Sequence, residues 1–219
     1  ASDLDGFLRS GGWRPTGLGD EGQRSSMLRA AAPPADTVAW VCELLDATGV
    51  VDVAELPGGS AAAMHRLRVS LRSGGDAEVA LRRYVLTEPA NAPAVARWEA
   101  NALGLAARVS VPTPELLGVD VDGERTDVPA LVMSILPGRP VWETRRGREW
   151  VSQVVDAMLA LHEIDPGGVE LAPFRTYAQN RWWKPPRWTD RPGLWEQAME
   201  LFEGPVPTSM SGFIHRDFN

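Results

Sequence analysis

The sequence predicts an α+β fold built from two lobes, and two observations support that prediction. Strand-like segments with one intervening helix occupy the first half of the chain, and helical patterns dominate after residue 137. Elements that are segregated in this way are typical of α+β proteins, whereas a parallel α/β sheet needs strands and helices in alternation. The stretch 134–138, which includes a Pro-Gly pair, is interpreted as a hinge between the lobes.

The length and composition are those of a globular protein. The chain has 219 residues, of which 44% are hydrophobic and 23% are charged, so it is long enough for one large or two small domains with a buried core. A net charge of −7 without a Lys/Arg cluster argues against a nucleic-acid partner. The one cysteine, Cys42, allows no internal disulfide and is expected in the core. The longest apolar stretch, 129–137, is too short to cross a bilayer, and the first residues lack a signal-peptide pattern. We therefore expect a cytoplasmic protein without membrane contact.

The first half is predicted to contain most of the strands. Residues 1–35 are interpreted as an N-terminal extension that is at most partly helical, and Asp36 is a candidate N-cap for a helix that runs to Thr48. The elements expected after this helix are strands over 50–56, 64–71 and 77–86, a helix over 93–108, and strands over 115–121 and 129–136. In the strand at 64–71, Met64 and other apolar residues are expected to alternate with polar ones that include His65. In the helix at 93–108, Trp98 and Ala102 are expected to pack in the core.

The second half is predicted to be helical. Residues 149–164 carry apolar side chains at the spacing of a core-facing stripe, which includes His162 as a buried residue. An irregular segment rich in Trp and Pro covers 174–191, and a short helix follows over 194–202. The tryptophans at helical core spacing are attributed to packing: Trp40, Trp98, Trp150 and Trp195.

A glycine-containing turn is the first candidate for chemistry. Gly58, Gly59 and Ser60 lie between two predicted strands, where backbone N–H groups without neighbouring Cβ atoms could approach a phosphate. A simple hairpin turn has the same composition, so the turn alone does not decide between the two. No Gly-Lys-Ser/Thr follows, which excludes a Walker A loop.

Two adjacent arginines on a predicted strand are the second candidate. The side chains of Arg82 and Arg83 must point to opposite faces, and an arginine that faces inward needs an anion. A phosphate or the carboxylate of Glu99, on the next helix, could supply it. An exposed or edge position for both arginines remains the alternative.

The segment His215-Arg216-Asp217, after a short apolar strand, is the third candidate. A carboxylate that leaves a strand in this way can accept a proton from a substrate hydroxyl. By itself, the same tripeptide is also typical of a surface turn.

Taken together, the order and spacing of these segments resemble the aminoglycoside phosphotransferase family, the small-molecule branch of the protein-kinase-like fold. The resemblance covers residues 36–219. The segments that carry it are Leu131-Val132-Met133-Ser134-Ile135-Leu136-Pro137-Gly138, Leu159-Ala160-Leu161-His162 and Phe213-Ile214-His215-Arg216-Asp217-Phe218-Asn219.

The resemblance implies an ATP-dependent reaction with Mg²⁺. Asp217 matches the catalytic-loop aspartate, and Arg82 stands where the family carries the strand residue that holds the α- and β-phosphates, with Glu99 as its helix partner. The turn Gly58-Gly59-Ser60 would cover the nucleotide phosphates. Met133 would border the adenine, and the backbone of Ser134 and Leu136 would hydrogen-bond its edge.

The sequence departs from the family pattern at three points. Arg82 replaces Lys, and Arg216 stands where small-molecule kinases more often have Gly. The magnesium-binding Asn would fall at position 222, so no metal ligand is expected in this chain and the family's ligands are expected beyond Asn219. We therefore expect this sequence to be a portion of a longer protein with an incomplete helical C-lobe.

The first functional hypothesis is a kinase that phosphorylates a hydroxyl of a small molecule, such as an aminoglycoside, with the nucleotide and this acceptor as its partners. Its domains would be an extension at 1–35, a nucleotide-binding N-lobe at 36–136 and the first part of a C-lobe at 137–219. Three tryptophans could line the acceptor site: Trp182, Trp183 and Trp188. The alternatives are an inactive kinase-like binding module or an inert fragment of the longer enzyme, and, less favoured, a protein kinase.

Overall fold

The computed structural model describes residues 18–56, 62–138, 147–173, 184–205 and 212–215. The chain forms two compact units, Ala1–Arg146 and Gly147–Asn219. The elements of the first unit are helices α1 (Leu18–Ala30), α2 (Ala35–Leu44) and α3 (Ala92–Ala106) and strands β1 (Ala47–Glu55), β2 (Ala63–Leu71), β3 (Asp76–Arg83), β4 (Leu116–Asp120) and β5 (Ala130–Ser134). Those of the second unit are α4 (Arg148–His162) and α5 (Pro192–Glu203).

The strands of the first unit form one antiparallel sheet in the order β1-β2-β3-β5-β4. β5 lies between β3 and β4, so the strand that precedes the predicted hinge is paired on both sides. Strands followed by helices, with an antiparallel sheet in the first unit, confirm the predicted α+β class.

Each face of the sheet is covered by a different helix. On one face, Trp40 and Val41 of α2 pack against β2 residues that include Leu67 and Val69. On the other face, α3 presents alanines to a cluster that includes Met133 of β5. These alanines recur every four residues, which puts them on one side of the helix, and they are Ala92, Ala96 and Ala100. Their small size permits a close approach of α3 to the sheet, whereas the predicted core residues Trp98 and Ala102 are only half-buried.

The turn between β4 and β5 is organised by one buried carboxylate. Asp120 accepts hydrogen bonds from the backbone N–H groups of Glu124, Arg125 and Thr126 at 3.2, 2.8 and 2.9 Å. It also accepts one from the Thr126 hydroxyl at 2.9 Å. Gly123 adopts a φ of +72° within this turn, a conformation that glycine enters at little cost. These hydrogen bonds fix the shape of the turn and thereby the register of β5 against β4.

Two predictions about the first elements are wrong. The helix expected to start from Asp36 and reach Thr48 begins at Ala35 and ends at Leu44. Asp46 then adopts a φ of +48°, which breaks the helical path, and the β-branched Thr48 joins β1. Cys42, expected in the core, is only half-buried at the edge of the α2 cluster, and this burial raises the pKa of its thiol.

The predicted alternation in β2 is also wrong at its start. His65 lies on the same buried face as Leu67 and Val69, whereas Met64 faces the α3 cluster on the opposite side. Apolar residues 64 and 67 are an odd number of positions apart, and the period of two therefore puts them on different faces.

In the second unit, the helical stripe predicted over 149–164 is only partly buried. Leu161 and the following Ile164 are buried, but Val151, Val155 and Leu159 are exposed, and so is His162, which the sequence predicted to be buried. An apolar stripe shows that a helix face is suited to burial, but it does not identify what covers that face. Phe213 is buried as well. Among the described helices, none is long and apolar enough to cross a membrane.

Candidate functional site

An ion pair between β3 and α3 is the main feature of the candidate site. Arg82 occupies β3 in register with Met64 of β2 and Leu131 of β5. Its Nε atom lies 3.1 Å from Oε2 of Glu99 on α3. The two side chains remain 27% and 32% exposed, so the pair can be reached by a ligand. The structure thus joins the arginine and the carboxylate that the sequence singled out.

A buried tyrosine next to this pair was missed by the sequence analysis. Tyr84 follows β3 directly and is only 2% exposed, and its hydroxyl donates a hydrogen bond to Oε2 of Glu99. The Arg82 guanidinium lies 5.5 Å from the centroid of the Tyr84 ring, within the range of a cation–π contact. The signal was available, because a strand period of two puts residues 82 and 84 on the same face.

The electrostatic surroundings keep Tyr84 protonated. Burial of the ring raises the pKa of the Tyr84 hydroxyl far above its usual value, and the Glu99 carboxylate raises it further, against a smaller opposing effect of Arg82. The hydroxyl therefore stays protonated, and available as a hydrogen-bond donor, at neutral pH.

The neighbouring arginine has a different set of partners. Arg83 is buried, and both its Nε, at 3.0 Å, and Nη2 donate to the carboxylate of Asp127. Asp127 also accepts a hydrogen bond from the Thr37 hydroxyl of α2 at 3.1 Å. Burial alone would raise the pKa of Asp127, but the hydrogen bonds and charge of Arg83 outweigh it and lower that pKa. Arg83 therefore ties α2 to the sheet, and Arg82 is the arginine that remains accessible.

The residues predicted to meet the adenine lie at the end of β5. Met133 is buried in the α3 cluster and is in register with Ala80 of β3. The backbone N–H of Ser134 donates to the carbonyl of Glu115 at 2.9 Å, and the Ser134 hydroxyl accepts from the Glu115 N–H at 2.8 Å. The Ser134 N–H is thus already engaged, which limits the predicted backbone contact of Ser134 to its carbonyl. Leu136 is exposed, and within the described residues no backbone carbonyl accepts its N–H.

The remaining predicted site residues are Trp188 and a group that the structure does not describe. Most of them lie outside the described residues: Gly58, Gly59, Ser60, Trp182, Trp183 and Asp217. Trp188 is described and is 74% exposed, and its ring meets that of Trp195 edge-on at 6.3 Å between centroids. Trp188 and Trp195 thus form an aromatic pair at the surface of the second unit.

The donor set at Arg82 suits an anion rather than a metal. In the described ranges, no group of three or more His, Cys, Asp or Glu side chains is arranged to hold a metal ion. Arg82 Nε is buried and, although close to Glu99, makes no aligned hydrogen bond with any described residue. The Arg82 side chain as a whole is 27% exposed, and a partly exposed guanidinium fits the oxygens of a phosphate group.

Comparison with known proteins agrees with this geometry. A family model described as a phosphotransferase enzyme family matches residues 61–219, which is more than half of the chain. No curated protein matches the chain.

Two solved structures show partial similarity. One, from Ralstonia eutropha, is described as a "putative aminoglycoside phosphotransferase"; it is 16% identical over 59% of this chain and 38% of its own, with a TM-score of 0.44. The other, from Thermobifida fusca, is described as a "putative fructosamine-3-kinase"; it is 24% identical over 59% of this chain and 41% of its own, with a TM-score of 0.37. This chain therefore spans about two fifths of the length of each.

Proposed function

Because the chain belongs to the phosphotransferase enzyme family, we propose that the full-length protein transfers the γ-phosphoryl group of ATP to a hydroxyl of a small molecule. The observation that carries this proposal is the accessible ion pair of Arg82 and Glu99, which connects the strand and the helix of the first unit. A cation held in this way can bind the α- and β-phosphates of a nucleotide, while the carboxylate restricts the cation to one position.

The remaining nucleotide contacts follow from the same unit. The backbone N–H groups of Gly58, Gly59 and Ser60 would cover the phosphates, and Met133 would border the adenine from the sheet. The Ser134 carbonyl and the Leu136 N–H would bind the adenine edge. No backbone carbonyl among the described residues accepts the N–H of Leu136, which supports this assignment, since a backbone donor just beyond a strand can recognise a base without a side-chain contact.

Catalysis is assigned to Asp217. Its carboxylate would accept the proton of the acceptor hydroxyl while that oxygen bonds to the γ-phosphorus, and the bond from the γ-phosphorus to the bridging oxygen breaks to release ADP. Mg²⁺ would neutralise charge on the phosphates, and we place its ligands beyond Asn219. Reactions of this class depend on position and charge neutralisation more than on covalent catalysis.

The proposal extends to the class of acceptor, the cellular location and the division into lobes. A net charge of −7 favours a cationic acceptor such as an aminoglycoside, and an ATP-dependent enzyme with a single cysteine suits the cytoplasm. We propose a division into an extension at 1–35, a nucleotide-binding lobe at 36–136 and a helical lobe from 137 onward. Trp182, Trp183 and Trp188 are proposed to line the acceptor site.

The proposal is tested with Asp217→Asn in the full-length protein. We expect the rate of ATP-dependent phosphorylation of a panel of hydroxyl-bearing acceptors to fall by about 10²- to 10⁴-fold, because a general base is lost. The affinity for Mg·ATP, measured by calorimetry, should change by less than about threefold, since Asp217 contacts the acceptor hydroxyl and not the nucleotide.

Asp122→Asn is the matched control, because it removes the charge of an exposed carboxylate in the β4–β5 turn. This variant should keep the rate of the original protein. If Asp217→Asn also kept the rate within a few-fold, the assignment of the base would be wrong. Nucleotide binding without any transfer by the unmodified protein would favour the inactive binding module instead.

A further inference from the structure

Tyr84 makes an interaction that packing alone does not require. Its ring belongs to the apolar cluster between the sheet and α3, and a phenylalanine would fill that space equally well. The hydroxyl, however, donates to Oε2 of Glu99, the same oxygen that lies 3.1 Å from Arg82 Nε. A buried hydroxyl that donates to one carboxylate oxygen of an ion pair restricts the orientation of that carboxylate.

The two neighbours of Glu99 hold it in different ways. Tyr84 makes an aligned hydrogen bond to the carboxylate, whereas Arg82 Nε lies within reach of it but makes no aligned hydrogen bond with any residue in the described ranges. The carboxylate is thus anchored by the tyrosine, and the Arg82 side chain lies beside it with 27% of its surface exposed.

From this geometry, and resting on the proposed function, we infer that Tyr84 is a positioning residue for nucleotide binding. It holds Glu99 against β3 whether or not Arg82 is engaged, so that the Arg82 guanidinium meets the nucleotide phosphates in a single preset orientation. The aromatic face of Tyr84, whose centroid lies 5.5 Å from the guanidinium, supports the same orientation through a cation–π contact. Preset binding groups lose less conformational entropy when a ligand binds.

The test is a double-mutant cycle on Tyr84→Phe and Glu99→Gln in the full-length protein, with Mg·ATP affinity measured by calorimetry. Tyr84→Phe keeps the ring and removes only the hydroxyl. We expect it to weaken Mg·ATP binding about tenfold, as for the loss of a hydrogen bond to a charged group. In the Glu99→Gln background, the same change should weaken binding by less than about twofold, because the hydroxyl acts through the carboxylate.

Kinetics give a second readout. Tyr84→Phe should raise the KM for ATP about tenfold and change kcat by less than about threefold, since it alters how the nucleotide is held and not the proton transfer. A loss confined to kcat would overturn the inference.

Thr37→Val is the matched control for the loss of a buried hydroxyl. Thr37 donates to Asp127, which pairs with Arg83 in the same unit, so the control repeats the chemistry away from the nucleotide. It should lower the melting temperature as Tyr84→Phe does, yet leave the Mg·ATP affinity unchanged. Equal losses of affinity in the two variants, or equal effects of Tyr84→Phe in both Glu99 backgrounds, would overturn the inference.

The proposed function and this inference fail in different ways. If the unmodified protein binds Mg·ATP but transfers no phosphoryl group, the proposed function falls, and the cycle still decides the role of Tyr84 by affinity. If the unmodified protein does not bind Mg·ATP, both are overturned.

Discussion

The adjacent residues Arg82 and Arg83 have different partners, because successive side chains of a β-strand point to opposite faces of the sheet. Arg82 reaches the α3 side, where it meets Glu99 and stays accessible. Arg83 reaches the α2 side, where Asp127 and the carbonyl of Ala31 take up its donors. The sequence showed that the two side chains must diverge, but it could not say which of them would be buried and paired with a carboxylate. Asp127 is 44 residues further along the chain, and only the fold brings it to Arg83.

His65 is the basis of a prediction about pH at the scale of one residue. It is buried on the inner face of β2, and neither ring nitrogen has a hydrogen-bond partner among the described residues. Burial lowers the pKa of His65, and the charge of Arg83 lowers it further, against a smaller opposing effect of Glu55. The folded protein therefore favours the neutral ring more than the unfolded chain does.

The sign of the pH effect follows from this shift. The unfolded chain binds the proton near the usual histidine pKa of about 6.5, and the folded protein binds it only at lower pH. The neutral His65 ring therefore makes its full contribution to the free energy of unfolding above pH 6.5. This contribution is lost as the pH falls from 6.5 toward the lowered pKa of His65. We expect the free energy of unfolding, measured with urea, to decrease from pH 7.5 to pH 5.5, and His65→Leu to reduce that decrease.

His162→Leu is the control for this measurement, because His162 is exposed on α4. It should keep the pH dependence of the original protein. A pH dependence that is the same in His65→Leu and in the original protein would rule out His65 as its source.

At the scale of elements, the boundaries and the buried faces differ most from expectation. The helix α2 is shorter than predicted because its end is decided by a left-handed residue, Asp46, and by the pairing of the next residues with β2. The fully buried residues that α3 contributes to the cluster against the sheet are alanines, with Val95 and Leu103 partly buried beside them, and such small residues suit a short distance between helix and sheet. Hydrophobicity alone pointed to the larger Trp98, and could not reveal this distance.

The turn between β4 and β5 carries the prediction at this scale. A Cβ atom at Gly123 would lie 3.0 Å from the carbonyl carbon of Val128 and 3.1 Å from the nitrogen of Pro129, in a backbone with a φ of +72°. Gly123→Ala should therefore lower the free energy of unfolding by about 1–3 kcal/mol, because neither backbone atom can move without disturbing β5. The change is measured by thermal and urea denaturation.

Gly104→Ala provides the comparison. Gly104 lies in α3, and a Cβ atom there meets nothing within 4 Å. The substitution should stabilise the protein by about 0.5–1 kcal/mol, since alanine is the better helix former. If Gly123→Ala were as well tolerated as Gly104→Ala, the turn would not control the position of β5.

At the scale of the whole molecule, the first unit begins before the region that the family model matches. That match starts at residue 61, but the sheet includes β1, and α2 covers one of its faces with Trp40 and Val41. Residues 35–55 therefore complete the core of this unit.

The corresponding prediction concerns Trp40→Ala. The side chain of Trp40 is buried against β2, so we expect a loss of about 3 kcal/mol in the stability of the first unit. Hydrogen exchange of the β2 and β3 amides measures that loss locally. Trp188→Ala, which truncates a largely exposed tryptophan, should change it by less than about 1 kcal/mol. A similar exchange rate in both variants would show that α2 is dispensable for the sheet.

The sequence by itself determined the α+β class and the order of the elements from α2 onward, because these depend on hydrophobic periodicity. The pairing of Arg82 with Glu99 was expected from the family resemblance, and the packing of α3 on the sheet is what brings the two side chains together. The anchoring of Glu99 by Tyr84, the burial of His65 and the capture of Arg83 by Asp127 were decided only by the tertiary structure. Each of the three depends on which groups lie opposite one another after strands and helices pack. Such contacts arise between residues far apart along the chain, where local pattern carries no information about distance.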